Sequence, residues 1–219
     1  MAVMTEYDLE PIPGLPAVPP EGETILWQGS PDRRSLARTA FHTRLVTAYF
    51  GLLTAWAFFS SLSDGIGQAS DLTGLAMTMI AGIAAVLLLH VLAWGSARTT
   101  IYTLTNRRIV LRIGMALPKC INLPLGQVGA IDLAPNADGT GDVALAVIGR
   151  QRLGYLVLWP HARAWKLGKP QPTLRALPDA ANVAALIART CLAANPNGQV
   201  AQLGVPAQAA PSFAEAVVA

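Results

Sequence analysis

The chain has 219 residues, of which 53% are hydrophobic and only 13% charged, and its net charge is +3. A soluble domain carries roughly 25% charged residues, so the deficit points to a membrane protein if the apolar residues come in runs. The basic excess has no basic helix or aromatic stacking motif around it, which argues against nucleic-acid binding.

Residues 1–30 read as an N-terminal arm. "EPIPGLPAVPPEGE" holds too much proline for helix or sheet and favours an extended tether or a surface-hugging segment. "ILWQGSP" follows as a short apolar segment ended by Gly29 and Pro31. Ser30-Pro31-Asp32 starts a helix, "RRSLARTAFHTR", expected to run on into a membrane span. Its arginines, with Arg33 and Arg34 foremost, suit the phosphate level, and Trp27 and Phe41 suit the interface.

Residues 31–97 comprise this interfacial helix and a two-span hairpin, with spans at about 45–62 and 72–94. Nineteen uncharged residues separate Arg44 from Asp64, and 26 separate Asp71 from Arg98. At about 1.5 Å per residue the shorter run covers roughly 28 Å, close to the ~30 Å hydrocarbon core. Gly51 and Ala55, Gly74 and Thr78, and Ala81, Gly82 and Ala85 give small-residue faces on which the two spans are expected to pack. All 16 Lys and Arg residues lie outside 45–97, while the joining loop carries Asp64 and Asp71. The positive-inside rule then puts both termini in the cytoplasm. The first run starts too far along the chain for a cleaved signal peptide. Cys120 and Cys191, far apart on the cytoplasmic side, read as small core residues rather than a disulfide.

Past Trp94 the hydrophobic period shortens. Residues 98–195 read as a cytoplasmic antiparallel barrel or bent sheet closed by a C-terminal helix, making the whole an α+β membrane protein. "TTIYTLTNRRIVLRIG" gives two strands around a turn at Thr105–Arg108. "KCINLPLGQVGAIDLAP" gives two more around a proline-broken turn, and "NADGTGD" is a loop. "VALAVIG" and "LGYLVLWP" are expected to form a hairpin around Arg150-Gln151-Arg152, whose charges forbid a third span. "HARAWKLGKPQP" reads as a basic loop. Val183, Leu186, Ile187, Thr190 and Cys191 share one helical face, with Asp179 as the start. Residues 196–219 read as a mobile tail.

No nucleophile motif, phosphate loop or paired-Cys metal site is visible, so an enzyme is not expected, and neither a cofactor nor a metal. His42, His90 and His161 are widely separated. His42, beside Arg44, reads as interfacial.

"YTLTNRRIVLRIG" followed by "INLPLGQVGAIDL" resembles the bacterial pleckstrin-homology-like (PH-like) module of membrane-anchored proteins. The "ILWQG-P" and "AFH-R" segments, with the hairpin and that module, resemble the PuhB family of photosynthetic reaction-centre assembly proteins of purple bacteria, from about Leu15 to Asn195. The resemblance implies a non-enzymatic membrane chaperone of the bacterial inner membrane. Since that family handles pigment proteins, the resemblance also raises His90 as a pigment ligand, but antenna helices that ligate bacteriochlorophyll present Ala four residues before the His, and here Val86 stands there, so pigment ligation is disfavoured. Its partners would be reaction-centre subunits and light-harvesting antenna polypeptides, besides the lipid bilayer. Candidate partner contacts are Trp27, Gln28, Gly29, Arg33, Arg34, Phe41, His42, Arg107, Arg108, Trp159 and Trp165. A homo-oligomer stays open. The alternative function is a PH-like module that reads anionic headgroups through Arg107 and Arg108, or that regulates another membrane protein.

Overall fold

The computed structural model describes residues 12–63, 69–115, 118–149, 154–163, 168, 170–194 and 203–204. The first strand, β1 (Ile25–Gly29), is not part of a free arm. It pairs antiparallel with β2 (Ile101–Thr105), so the segment read as arm contributes an edge strand. Helix α1 (Arg33–Thr39) starts where "SPD" forecast it, because the Asp32 side chain accepts a hydrogen bond from the Ser35 amide at 2.8 Å.

Contrary to expectation, α1 does not run into the next helix. His42 adopts a positive φ of 51° and turns the chain before α2 (Thr43–Ser63). The break frees α1 to bury Ser35, Leu36 and Ala37 instead of lying on a bilayer surface. Its partners are Ala93 and Ala97 of α3 (Ala69–Thr99) and Ala176 of a later strand.

Helices α2 and α3 form an antiparallel pair, each long and apolar enough to cross a bilayer. Their side chains are apolar on every side, and Leu52, Trp56, Phe59, Met77, Ile83 and Leu87 are exposed. Gly82 packs on Phe50: a Cβ there would sit 2.9 Å from the Phe50 Cβ. Gly51 and Gly74, by contrast, face open space, so these two small-residue positions do not serve the helix–helix contact. The joining loop at 64–68 lies outside the described residues.

After α3 come β2, β3 (Arg108–Ile113) and β4 (Lys119–Pro124), completing a sheet of order β1-β2-β3-β4. A 3₁₀ turn at Leu125–Gln127 leads to β5 (Val128–Pro135) and β6 (Thr140–Val147). The expected partner of β6 at "LGYLVLWP" is instead a helical turn, α4 (Tyr155–Leu158), and residues 150–153 lie outside the described residues. The real partner is β7 (Thr173–Pro178), a strand hidden at the edge of the basic loop.

Helix α5 (Ala180–Ala194) buries Val183, Ile187 and Thr190 as its period predicts. The Asp179 side chain meets the Asn182 side-chain amide rather than a backbone amide, so it starts the helix without capping it in the expected way. Two residues of the tail form β8 (Leu203–Gly204), parallel to β5, in a sheet of order β7-β6-β5-β8.

The expected barrel is not closed. Two four-stranded sheets face one core, and no ladder joins them among the described residues. Inward residues alternate along each strand: Tyr102 and Leu104; Ile109, Leu111 and Ile113; Ile121 and Leu123. The outer face of the first sheet is also covered. Gln28 bridges the Pro13 carbonyl and the Thr103 hydroxyl, Gly14 packs on Ile101, and Leu15 is buried. The proline-rich arm therefore hugs the sheet over residues 12–15.

Candidate functional site

Three polar constellations stand out, two where the helices meet the β unit and one at the β2–β3 turn. The first is buried. Tyr102 accepts a hydrogen bond from the Arg175 amide (3.1 Å), which leaves its own proton for His161 Nδ1 (2.7 Å). The His161 Nε2–H then donates to Thr100 (3.1 Å), with Ser96 at 3.5 Å. Burial, with the Arg175 charge adding to it, pushes His161 down to about 3, so the ring is neutral. Burial also raises the Tyr102 hydroxyl far above its ordinary value. Arg175 reaches the Ala162 carbonyl (2.7 Å) and Asp142 (3.4 Å), and Asp142 receives the Ala176 amide (2.8 Å). The network ties the end of α3, β2, β6 and β7 together.

The second lies at the β2–β3 turn. Arg108 holds the Glu23 carboxylate through two bonds of 2.8 and 2.9 Å, and Thr105 donates a third at 2.8 Å. Arg108 keeps the Glu23 carboxyl below the usual carboxylate range. Arg108 is thus committed to the fold, and only Arg107 presents an exposed cation at this turn. Glu23→Gln should lower stability by about 2 kcal/mol, since it leaves a charged, partly buried donor without its anion. Denaturant midpoints at pH 7 would check this, and Arg107→Gln should leave the midpoint unchanged.

The third is a groove of about 610 Å³ between α1 and α3, lined by Arg33, Arg34, Ala37, Arg38, His90 and Trp94. Arg38 pairs with Asp138 at 2.7 Å. Arg33 and Arg34 are exposed and, among the described residues, have no carboxylate partner. His90 is exposed, with Nδ1 2.8 Å from the Val86 carbonyl. Arg98 lies over the Trp94 ring at 5.5 Å. The groove has the chemistry of an anion site; among the described residues no group of three His, Cys, Asp or Glu could hold a metal.

The remaining candidates scatter. Trp27 is half-buried against the core, and Gln28 and Gly29 belong to β1, where a Cβ on Gly29 would strike the Trp27 ring at 2.4 Å. Buried Phe41 meets half-exposed Trp159 edge-on at 5.6 Å, close to exposed His42 in the chain. Trp165 lies outside the described residues. Sequence reasoning missed His161 and Glu23. Their partners are 59 and 85 residues away, and no local pattern announces such pairs.

Comparison with known proteins bears on the whole arrangement. The chain is 38% identical over 189 residues to a 23.7 kDa protein of Rhodobacter capsulatus described as lying in the puhA 5' region, covering 86% of this chain and 88% of that one. No solved structure matches it. The family model of the bacterial PH domain matches residues 46–190, from within α2 through most of α5, and the chain belongs to that family.

Proposed function

We propose that this protein is a non-enzymatic assembly factor for the photosynthetic reaction centre and its light-harvesting antenna, seated in the bacterial inner membrane with both termini cytoplasmic. The observation that carries this reading is the relationship to the Rhodobacter capsulatus protein of the puhA 5' region, since puhA is a photosynthesis gene. The membrane placement is supported by two long helices whose large apolar side chains point outward with nothing among the described residues to cover them.

A factor of this kind must hold a partner's span beside its own. A shallow apolar groove of about 440 Å³ runs between α2 and α3, with Thr47, Gly51, Thr54 and Gly82 among its lining residues. Small side chains let a third helix approach closely. The β unit then offers a rigid cytoplasmic surface fixed to that groove.

Deleting the gene should lower assembled reaction centre without blocking pigment synthesis. Membrane absorbance spectra, with pigment extracted and quantified separately, decide it. Normal reaction-centre levels in the deletion strain would sink the assembly reading.

A further inference from the structure

We propose that the groove between α1 and α3 binds the phosphate of an anionic phospholipid headgroup. This rests on the membrane placement proposed above. It concerns a different surface from the β2–β3 turn, whose Arg108 is already paired with Glu23.

The first argument is height. Gly82 packs on Phe50, seven residues above Thr43, the first residue of α2. Seven residues along α3 from Gly82 lead to Leu89, so the two helices are level there. His90–Thr99 therefore projects past the start of α2 by about 15 Å. His90 stands level with the start of α2 and Trp94 about 7 Å beyond it, which in a bilayer spans the headgroup layer. Ala93 and Ala97 of the projecting segment are buried against α1, which brings Arg33, Arg34 and Arg38 to the same level.

The second is charge. Three guanidinium groups line one groove and no carboxylate does; Asp138 engages Arg38 alone. Arg33 and Arg34 are left as two adjacent cations on a seven-residue helix. Guanidinium forks match phosphate oxygens. The third argument separates a lipid from a free anion. Exposed Leu87 and Val91 stand three residues before His90 and Trp94 respectively, within one turn of them on α3, as acyl chains below a bound headgroup would require. Trp94, half-exposed beneath Arg98, is an interfacial anchor.

The test titrates the detergent-solubilised full chain with dioctanoyl phosphatidylglycerol, dioctanoyl phosphatidylcholine or inorganic phosphate. The readout is the ligand concentration giving half of the maximal rise in melting temperature. Phosphatidylglycerol should act at far lower concentration than either of the others. Arg33→Gln with Arg34→Gln should raise that concentration about twenty- to thirtyfold, from a factor near five per basic residue at an anionic surface. The unliganded melting temperature should not move, because neither side chain has a carboxylate partner among the described residues to lose. Arg107→Gln should leave the titration unchanged.

Equal action of the two lipids, or an unaffected double variant, would overturn the proposal. Inorganic phosphate matching phosphatidylglycerol would make this a soluble-anion site and overturn the lipid assignment. A double variant that keeps its lipid response but loses co-purifying reaction-centre subunits would make the groove a protein dock. Flotation with phosphatidylcholine liposomes separates the two readings. A chain that fails to float sinks the membrane placement, whereas one that floats without preferring phosphatidylglycerol sinks only the groove.

Discussion

Replacing His161 by alanine should cost about 3 kcal/mol of stability and remove most of the protein's sensitivity to mild acid. The loss has two sources. A buried ring leaves a cavity, and the Tyr102 and Thr100 hydroxyls lose a buried partner. The pH effect follows from the neutral ring. The folded state holds His161 near 3, against about 6.5 for the unfolded chain, so acid protonates the unfolded state first. Stability is fully present above pH 6.5 and is lost as pH falls toward 3. Between pH 7 and pH 5 the wild type should lose about 2 kcal/mol from this one group. Glu23, whose carboxyl is held low, adds its loss only below about 4.5, so the two windows are separable. Denaturant unfolding of the solubilised chain at pH 7 and pH 5, followed by tryptophan fluorescence, measures both. A variant that keeps the wild-type difference between these pH values would refute the buried-imidazole account.

Two glycine substitutions on the helical hairpin should have opposite signatures. Gly82→Leu drives a side chain into Phe50, where even a Cβ lies at 2.9 Å, so the helices must splay and the protein should fail to accumulate in membranes. A Cβ added at Gly51 would meet nothing within 4 Å, so Gly51→Leu should leave accumulation and melting temperature unchanged. It would instead fill the groove proposed for a partner's span, and co-purification of reaction-centre subunits should fall about tenfold or more, the loss expected when even about 1.4 kcal/mol of packing is denied. Immunoblots of membranes and of affinity eluates read both effects. Gly51→Leu that retains its partners at wild-type levels would remove this groove from the assembly model.

What was legible in the sequence was what repeats locally. The two long helices announce themselves through uninterrupted apolar runs, the β2–β3 hairpin through alternation around Asn106-Arg107, and α5 through its 3.6-residue period. Local signals misled where tertiary pairing decided the outcome. β1 lies in proline-rich surroundings and exists because β2 offers it an edge. "YLVL" is apolar enough for a strand, but β7 takes the place beside β6 and leaves it a helical turn. The break at His42 depends on a backbone conformation that histidine seldom adopts, held by what α1 buries rather than by composition. The candidate sites divide in the same way. The arginines of α1 are visible as a cluster, whereas the Glu23–Arg108 pair and the His161 network are products of long-range folding.

One feature of α3 reaches beyond packing. The helix runs from the apolar pair into the β unit with Thr100 alone between its last turn and β2. There is no linker in which a rotation could dissipate. The azimuth of the β unit about the hairpin is therefore an integer property of the chain, set by how many residues separate Gly82 from Ala93. Each residue added or removed there turns one half against the other by about 100°, and among short changes those of seven or eleven residues return to within about 20° of the starting phase. Substitutions in this stretch leave the bearing untouched, but insertions and deletions reset it. A partner that must engage the hairpin and the surface of the β unit together would thus tolerate drift in side chains while selecting strictly for length.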